Sequence, residues 1–269
     1  MLQVTVSKLR ALKEKGERFA MLTAYDATFA TLIADAGIAT ILVGDSLGMT
    51  VQGHGATVAV TMEDMVYHTR CVARGVSRSD AERPLIVADM PLGSAYTVED
   101  AARNAARLVR AGANVVKLEG GLWLAPVVRF LTERGLPVCC HMGLTPQTAD
   151  MLGGFRLQGR GEEDAARIRE EARVLEEAGA RLLLLECVPN ALGKDVSEGS
   201  SVPVIGIGAG PSTDAQVLVL HDMLGLTPGR KARFVKDFLA DAGTVQAALA
   251  AFGKAVAEGT YPAAEHCYG

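Results

Sequence analysis

The segment DAGIATILVGD, residues 35–45, decides the fold, because its pattern recurs twice further along the chain. The other copies are RAGANVVKLEG, residues 110–120, and EAGARLLLLEC, residues 177–187. Each copy has the pattern of a helix end, an Ala-Gly step, a short apolar strand and an acid. We expect the glycine of each copy to close its helix in the left-handed conformation: Gly37, Gly112 and Gly179.

The acid of each copy falls where its predicted strand ends. These acids are Asp45, Glu119 and Glu186, and a further strand, in VADMP, ends on Asp89. The carboxyl ends of parallel strands meet at one face of a barrel or sheet, which is where ligands bind in both folds. Carboxylates packed together repel one another and need a cation, shared protons or hydrogen-bond donors. Because oxygen ligands favour hard cations, the pattern predicts a Mg2+ site rather than structural zinc.

Apolar runs of strand length alternate with helical patterns along the chain. The runs cover residues 19–26, 40–46, 84–91, 114–121, 137–143, 181–189 and 203–210. Their nearly continuous apolar character is typical of parallel strands that are covered on both faces. With a weak eighth strand after Leu220, the alternation predicts an α/β protein with a (β/α)8 TIM barrel. We expect a single domain over residues 1–269, with residues 1–18 as an N-terminal helical lead-in and residues 241–269 as a C-terminal helix and tail.

The composition of the 269-residue chain argues against several classes of protein. A formal net charge of −4 disfavours nucleic-acid binding, which calls for basic stripes. The densest basic cluster, residues 229–236, is interpreted as the solvated start of a helix. Apolar runs fall short of the roughly 20 residues that span a bilayer, and the charged N-terminus does not resemble a signal peptide. Five cysteines at irregular spacings favour a reducing compartment, so we expect a cytoplasmic protein.

Two basic side chains lie among the predicted strand ends. Lys117 precedes Glu119 by two residues, so both should face the same side of their strand. An inward lysine beside a metal could bind a substrate carboxylate, form a Schiff base, or pair with a neighbouring acid. His141 ends another strand and could serve as an acid or base, or as a structural hydrogen bonder. The segment GIGAG, residues 206–210, is a weak dinucleotide-binding pattern, and we favour its role as a pocket wall.

Eight short segments occur in a fixed order along the chain. Each segment alone is weakly specific for a protein family, but the ordered set is highly specific. The segments are TAYD, LVGDSLGMTVQGH, ADMP, VKLEGG, H-x-GLTPQ, LQGRG, LLLECVP and PVIGIGAG. Over residues 19–238 they resemble the ketopantoate hydroxymethyltransferase (3-methyl-2-oxobutanoate hydroxymethyltransferase) family. The resemblance implies a barrel of the phosphoenolpyruvate/pyruvate type and a homo-oligomer, commonly a decamer. It also implies the first committed step of pantothenate synthesis, in which 5,10-methylenetetrahydrofolate donates a hydroxymethyl group to 3-methyl-2-oxobutanoate and 2-dehydropantoate forms.

The resemblance further implies roles for individual residues. One Mg2+ ion per subunit would be held by three acids: Asp45, Asp89 and Glu119. The oxo acid would be contacted by four residues: Asp45, Ser46, Asp89 and Lys117. Glu186 would be the proton acceptor. His141 receives no role from the resemblance, and its position alone makes it a candidate auxiliary group. These roles are chemically coherent, because a chelated Mg2+ stabilises the enolate that forms when a base removes the C3 proton of the oxo acid.

Three alternatives stay open from the residues alone. Barrels of the isocitrate lyase/phosphonopyruvate type also use Mg2+ and enolate chemistry, as C–C lyases or mutases on other 2-oxo acids, but a KKCGH-like catalytic loop is absent from this sequence. A non-catalytic metabolite-binding barrel would have little reason to keep Lys117 and Glu186 beside a three-acid metal site. A nicotinamide oxidoreductase would rest on GIGAG alone.

Overall fold

The structure is a computed structural model that describes residues 2–269. Within these residues eight parallel strands close into a barrel, and their order around the barrel equals their order in the sequence. The strands are β1 (Phe19–Thr23), β2 (Thr40–Val43), β3 (Leu85–Asp89), β4 (Val115–Glu119), β5 (Val138–Gly143), β6 (Leu182–Glu186), β7 (Val204–Ile207) and β8 (Ala215–Leu218). The predicted TIM barrel is confirmed, and the first seven strands fall within the predicted apolar runs.

Helices connect the strands and pack around the barrel. In the described chain the α-helices are α1 (Val6–Glu14), α2 (Ala27–Asp35), α3 (Leu47–Thr50), α4 (Met62–Val76), α5 (Val98–Ala111), α6 (Ala125–Glu133), α7 (Glu162–Glu177), α8 (Asn190–Gly199), α9 (Leu220–Met223), α10 (Leu239–Ala242) and α11 (Val245–Ala257). No helix of residues 2–269 combines the length and the apolar character needed to cross a membrane.

Local sequence signals explain where the connecting helices begin and end. Thr61 caps α4 in a capping box with Asp64, and Thr97 accepts a hydrogen bond from the backbone N–H of Asp100 at the start of α5. The glycines predicted to close helices do so with positive φ angles: Gly37 at 72°, Gly112 at 117° and Gly179 at 109°. Because these glycines lead directly into β2, β4 and β6, they set the point at which each of those strands starts.

The eighth strand lies earlier than the apolar pattern predicts. That pattern predicts the eighth strand after Leu220, whereas β8 spans Ala215–Leu218 and α9 begins at Leu220. The prediction was wrong because Gln216 interrupts the apolar run. In the barrel Gln216 is buried, and its amide donates to Gly210 O and to Thr213 Oγ1. An amide satisfied in this way can occupy a strand interior, which hydrophobic periodicity does not detect.

The basic cluster at residues 229–236 is not the start of a helix, contrary to its interpretation from the sequence. All of these residues are described, and they form an irregular loop; α10 begins only at Leu239. The Pro228-Gly229 step before the cluster favours a turn, which explains why no helix starts there. Within the loop, Phe234 is buried, Arg230, Lys231 and Arg233 are exposed, and Lys236 is half-buried.

Backbone hydrogen bonds continue past the ends of several strands. Met90 N, just after β3, donates to Lys117 O on β4 at 2.9 Å. Leu144 N, just after β5, donates to Glu186 O on β6 at 2.9 Å. The strand ends that carry charged side chains are therefore tied to their neighbours through the main chain.

Candidate active site

A cavity of about 1470 Å3 lies at the carboxyl ends of the barrel strands. Its wall includes every residue predicted for the site from the sequence: Asp45, Ser46, Asp89, Lys117, Glu119, His141 and Glu186. Ile207 of the GIGAG segment also lines the cavity, in agreement with the pocket-wall interpretation. That segment leads on to β8 rather than into a helix, so it does not have the strand-turn-helix context of a dinucleotide fingerprint.

Strand register brings the charged side chains together. Asp89 on β3 lies beside Lys117 on β4, and Glu119 on β4 lies beside His141 on β5. Because side chains alternate along a strand, Lys117 and Glu119 point to the same side of β4. We name the ionisable groups at these strand ends the floor of the cavity: Asp45, Asp89, Lys117, Glu119, His141 and Glu186.

Lys117 is a buried cation shared between acids. Its ammonium lies 2.9 Å from Asp89 Oδ1 and 3.3 Å from Glu119 Oε1, and its side chain is 3% exposed. Burial lowers the pKa of Lys117, but Asp89, Glu119 and Asp45 outweigh burial and raise that pKa above its ordinary value. The amine is therefore protonated, and it lacks the free electron pair that Schiff-base formation requires. The ion pair expected as one alternative for Lys117 is present.

Asp45 and Asp89 lack full charge compensation. Burial and the charges of Asp89 and Glu119 raise the pKa of Asp45 well above its ordinary value. Burial also raises the pKa of Asp89, although Lys117 opposes that effect. The backbone N–H of Asp45 donates to Asp89 Oδ2 at 3.0 Å, which fixes the two residues relative to each other. A further cation near this pair would favour the ionised form of both carboxyl groups.

Glu119, in contrast to Asp45 and Asp89, has enough positive charge around it to offset its burial. Burial raises the pKa of Glu119, but Lys117 and His141 outweigh burial and lower it to about 2. His141 Nδ1 lies 3.0 Å from Glu119 Oε1, and the backbone N–H of Gln147 donates to Oε2 at 3.0 Å. Glu119 is therefore ionised, and each of its oxygens already has a donor.

His141 links Glu119 to Glu186. Its Nδ1 faces Glu119, and its Nε2 lies 3.3 Å from Glu186 Oε2. Burial and Lys117 lower the pKa of His141, but the two glutamates outweigh them and raise it to about 9. At neutral pH the ring is an imidazolium that can donate from both nitrogens. The Glu186 side chain is 15% exposed, against 2% for Glu119, so Glu186 is the glutamate that meets the open cavity.

Ser46 has a buried partner that the sequence pattern does not single out. The hydroxyls of Tyr25 and Ser46 lie 2.9 Å apart. Burial raises the pKa of Tyr25 to about 12, so the phenol stays protonated and can donate to Ser46. Tyr25 belongs to the TAYD segment, and only the contact through the fold reveals its connection to the site.

Gln147 is a second residue that sequence reasoning missed. It lies in a short 3-10 helix, Pro146–Thr148, after β5. Its side-chain Nε2 donates to Asp45 Oδ2 at 2.8 Å and to Met90 O at 3.0 Å. The partners of Gln147, Glu119 included, are distant in sequence. The only signal in the sequence is that Gln147 belongs to the segment H-x-GLTPQ.

The donor chemistry of the floor fits a hard divalent cation in part. Among residues 2–269, no three His, Cys, Asp or Glu side chains are arranged to coordinate one ion together. Asp45 and Asp89 supply hard oxygen donors whose raised pKa values reflect missing positive charge. Glu119 fits less well as a direct ligand, because Lys117, His141 and Gln147 already hold it. Asp45 and Asp89 are therefore the residues best suited to hold a Mg2+ ion.

Cationic loops surround the opening of the same cavity. We name these residues the rim of the cavity: Arg156, Arg160, Arg230, Lys231 and Arg233. All five are exposed, and within the described chain Arg156, Arg160 and Arg230 form no ion pair. The acids nearby, Glu162 and Asp195, are both paired with Arg169. The cavity thus has a mostly acidic floor and a basic rim, and the rim includes three basic residues of the loop at residues 229–236.

Comparison with known proteins gives consistent matches over the length of the chain. The family described as ketopantoate hydroxymethyltransferase matches residues 3–264. A 3-methyl-2-oxobutanoate hydroxymethyltransferase of Marinobacter nauticus is 55% identical over 265 residues, which are 98% of each chain. The protein of the same name from Shewanella loihica is 53% identical over 268 residues and 100% of each chain.

Solved structures of similar fold are more distant in sequence. A putative phosphonomutase from Burkholderia cenocepacia has a TM-score of 0.63 at 18% identity, covering 82% of this chain and 94% of that chain. A phosphonopyruvate hydrolase has a TM-score of 0.62 at 16% identity, covering 84% of each chain. At this level of identity the likeness shows the fold alone, and it does not favour the lyase or mutase alternative.

Proposed function

The chain belongs to the ketopantoate hydroxymethyltransferase family, and from that premise we propose that it transfers a hydroxymethyl group from 5,10-methylenetetrahydrofolate to 3-methyl-2-oxobutanoate. The product is 2-dehydropantoate, an intermediate of pantothenate and coenzyme A synthesis. The observation that carries the proposal is the meeting of Asp45, Asp89, Lys117 and Glu186 in one cavity. These groups are what the activation of a 2-oxo acid requires: a cation site, a carboxylate partner and a base.

The charge of the floor supports Mg2+ as the cofactor, one ion per subunit. With its four carboxylates ionised and Lys117 and His141 protonated, the floor carries a formal charge of −2, which a divalent ion balances. Asp45 and Asp89 would hold the ion, and Glu119 contributes its charge; direct ligation by Glu119 stays a prediction. When bound, the ion polarises the keto group of the oxo acid and lowers the energy of the enolate.

Floor residues and the neighbouring Ser46 bind the oxo acid, and Glu186 moves its proton. The Lys117 ammonium balances the substrate carboxylate, and the Ser46 hydroxyl donates a hydrogen bond to it while Tyr25 satisfies the Ser46 oxygen. Asp45 and Asp89 also contact the oxo acid, at the strand ends where they would hold the ion. Glu186 takes the proton from C3, and the electron pair of that C–H bond enters the enolate. C3 forms a bond to the methylene carbon of the folate, water supplies the hydroxyl oxygen, and the two C–N bonds of that carbon break. Tetrahydrofolate leaves, and its two nitrogens take up the proton removed from C3 and one proton of the water.

His141 has an auxiliary role in this scheme. Its imidazolium lies 3.3 Å from Glu186 Oε2 and 3.0 Å from Glu119 Oε1. Because Glu119 holds the ring in place, the ring can orient the carboxylate of Glu186, the proton acceptor. A donor on one oxygen of Glu186 leaves the other oxygen to receive the C3 proton.

The outer part of the cavity is the place we propose for the folate. A single small-molecule site usually occupies about 300–1000 Å3, and this cavity of about 1470 Å3 has room for both substrates. The glutamate carboxylates of a folate are anionic, and the unpaired cations Arg156, Arg160 and Arg230 offer them partners at the rim. The one-carbon end would then point down toward the enolate.

The family also supports two proposals about the whole protein. We infer a cytoplasmic homo-oligomer, with ten copies in the assembly, in which each chain is one domain over residues 1–269. Light scattering on the purified protein tests the assembly, because a monomer or dimer mass at working concentration would contradict it.

A two-part assay tests the proposed function. The protein is incubated with 3-methyl-2-oxobutanoate in D2O, with and without Mg2+ and 5,10-methylenetetrahydrofolate, and followed by proton NMR. We expect exchange at C3 that requires Mg2+ but not folate, and 2-dehydropantoate only when both are present. Absence of both exchange and product would overturn the proposal. Exchange without product would retain the enolisation and rule out this folate as the donor.

A further inference from the structure

The turn after β5 reaches across the mouth of the barrel to three other strand ends. Gln147 is the residue that makes these contacts: to Asp45 after β2, to Met90 after β3, and to Glu119 on β4. Two of its three partners are carboxylates of the floor. The side chain makes the contacts to Asp45 and Met90, which are 102 and 57 residues away, and the backbone N–H makes the contact to Glu119, 28 residues away. A side chain that only packed its own turn would not need such distant partners.

The path of this turn is fixed by glycine at the end of β5. Gly143 has a φ of +85°, and a Cβ there would lie 2.4 Å from Glu186 O. No larger side chain fits this approach without displacing the β6 backbone. The turn is then closed by Thr148 N donating to Thr145 O at 2.9 Å, which presents Gln147 toward the floor.

The amide of Gln147 can adopt only one orientation at this position. Its Nε2 carries two hydrogens, and both are used, on Asp45 Oδ2 and on Met90 O. A flipped amide would set its oxygen against a carboxylate and a carbonyl, which are both acceptors. Gln147 therefore holds one defined oxygen of Asp45, while Oδ1 of Asp45 accepts no hydrogen bond from residues 2–269.

A neutral donor suits the charge of the floor. Lys117 already neutralises part of the negative charge, and its ammonium lies against Asp89 and Glu119. A second cation next to Asp45 would cancel the charge that attracts a divalent ion, and an acid there would repel Asp45. The Gln147 amide restrains the carboxylate without changing the formal charge.

We propose that Gln147 is a positioning residue for the metal ligand Asp45: it binds Oδ2 and leaves Oδ1 for the cation. This inference rests on the proposed Mg2+ site. Removing the amide frees the Asp45 carboxylate to rotate, so divalent-ion affinity falls although no ligand has been removed. Partners that orient metal ligands in this way typically contribute about 10-fold to 100-fold to metal affinity.

The test measures Mn2+ binding to the purified protein by calorimetry, with free Mn2+ followed by electron paramagnetic resonance and no substrate present. Gln147→Met keeps the length of the side chain and removes the donor. Gln158→Met is the matched control, because the Gln158 side chain donates only to Arg156 O, two residues away in the same loop. Thr148→Ala is a second control that removes the Thr145–Thr148 hydroxyl contact within the same turn and leaves the amide in place.

We expect Gln147→Met to raise the dissociation constant of Mn2+ by about 10-fold or more, with both controls within about 2-fold of wild type. C3 exchange by Gln147→Met should return to near the wild-type rate at saturating Mn2+, because Glu186 is untouched. Unchanged Mn2+ affinity in Gln147→Met would overturn the proposal, and so would an equal loss in Thr148→Ala, which would assign the effect to the turn. If wild type binds no Mn2+, the proposed metal site itself fails, and C3 exchange that is independent of metal would then leave the oxo acid chemistry standing.

Discussion

The floor and the rim of the cavity carry opposite charge and are built in different ways. Floor residues lie on or directly after strands, and side chains such as Lys117 and Glu119 are 3% and 2% exposed. Rim residues such as Arg156 and Arg230 lie on irregular loops and are exposed. The same Coulomb interaction is weak where water screens it and strong where protein excludes water. Floor substitutions should therefore change the chemistry, whereas rim substitutions should change only the affinity for an anionic partner.

The largest expected effect comes from removing the base of the floor. We expect Glu186→Gln to slow C3 exchange by about 10^2-fold to 10^4-fold, the usual contribution of a positioned base, while the oxo acid still binds. Glu162→Gln is the matched control, because Glu162 lines the same cavity among the rim loops. NMR of the oxo acid in D2O measures both variants. Full exchange by Glu186→Gln would remove Glu186 from the role of base.

The next effect tests whether the floor holds the metal. Mg2+ at about 100 times its dissociation constant stabilises a folded protein by about 2.7 kcal/mol. We expect this gain to fall to about 0.4 kcal/mol in Asp89→Asn if affinity drops about 100-fold. Thermal unfolding with and without Mg2+ measures it, with Asp195→Asn on the cavity wall as control. An undiminished Mg2+ effect in Asp89→Asn would argue against ligation by Asp89.

A smaller effect is expected at the rim. Exposed ion pairs contribute about 0.2–1 kcal/mol each, so the double variant Arg156→Gln/Arg160→Gln should raise the KM for the folate about 2-fold to 30-fold. Added salt should weaken wild type in the same direction, and C3 exchange should not change. Arg70→Gln/Arg110→Gln, at exposed arginines outside the cavity wall, is the control. A fall in exchange by the rim variant would break the distinction between rim and floor.

No effect at all is expected from an attempt to trap a Schiff base. The acids around Lys117 raise its pKa, so its amine stays protonated at neutral pH and does not condense with a keto group. Treatment with borohydride in the presence of the oxo acid should leave the mass of the protein unchanged. An adduct on Lys117 would show that the floor does not keep this amine charged.

The floor could be predicted from the sequence because strand periodicity determines it. Lys117 and Glu119 share a face through their spacing alone, and the Ala-Gly steps locate the strand ends that carry Asp45 and Glu186. The barrel fold determines which strands are neighbours. Predicting that His141 lies beside Glu119 therefore required only the correct fold.

The contacts that the sequence could not predict run through turns and loops. Gln147 meets Asp45 across 102 residues, and no local pattern encodes that distance. The path of the loop over residues 229–236 depends on burial of Phe234, so its cations reach the cavity in a way that helical periodicity does not anticipate. Gln216 misled the strand prediction for a similar reason, because its partners lie outside the run in which it occurs.

The main-chain bonds beyond the strand ends have a consequence for how the protein fails on heating. Met90 and Leu144 bind the ends of β3 and β5 to their neighbours, whereas the loop that carries Arg230 has no such ladder to hold it. Loops of that kind open locally at a lower cost in free energy than barrel strands. As temperature rises, transfer of the one-carbon unit should be lost first. Over a range of temperatures below global unfolding, the protein should still enolise its oxo acid without transferring the one-carbon unit.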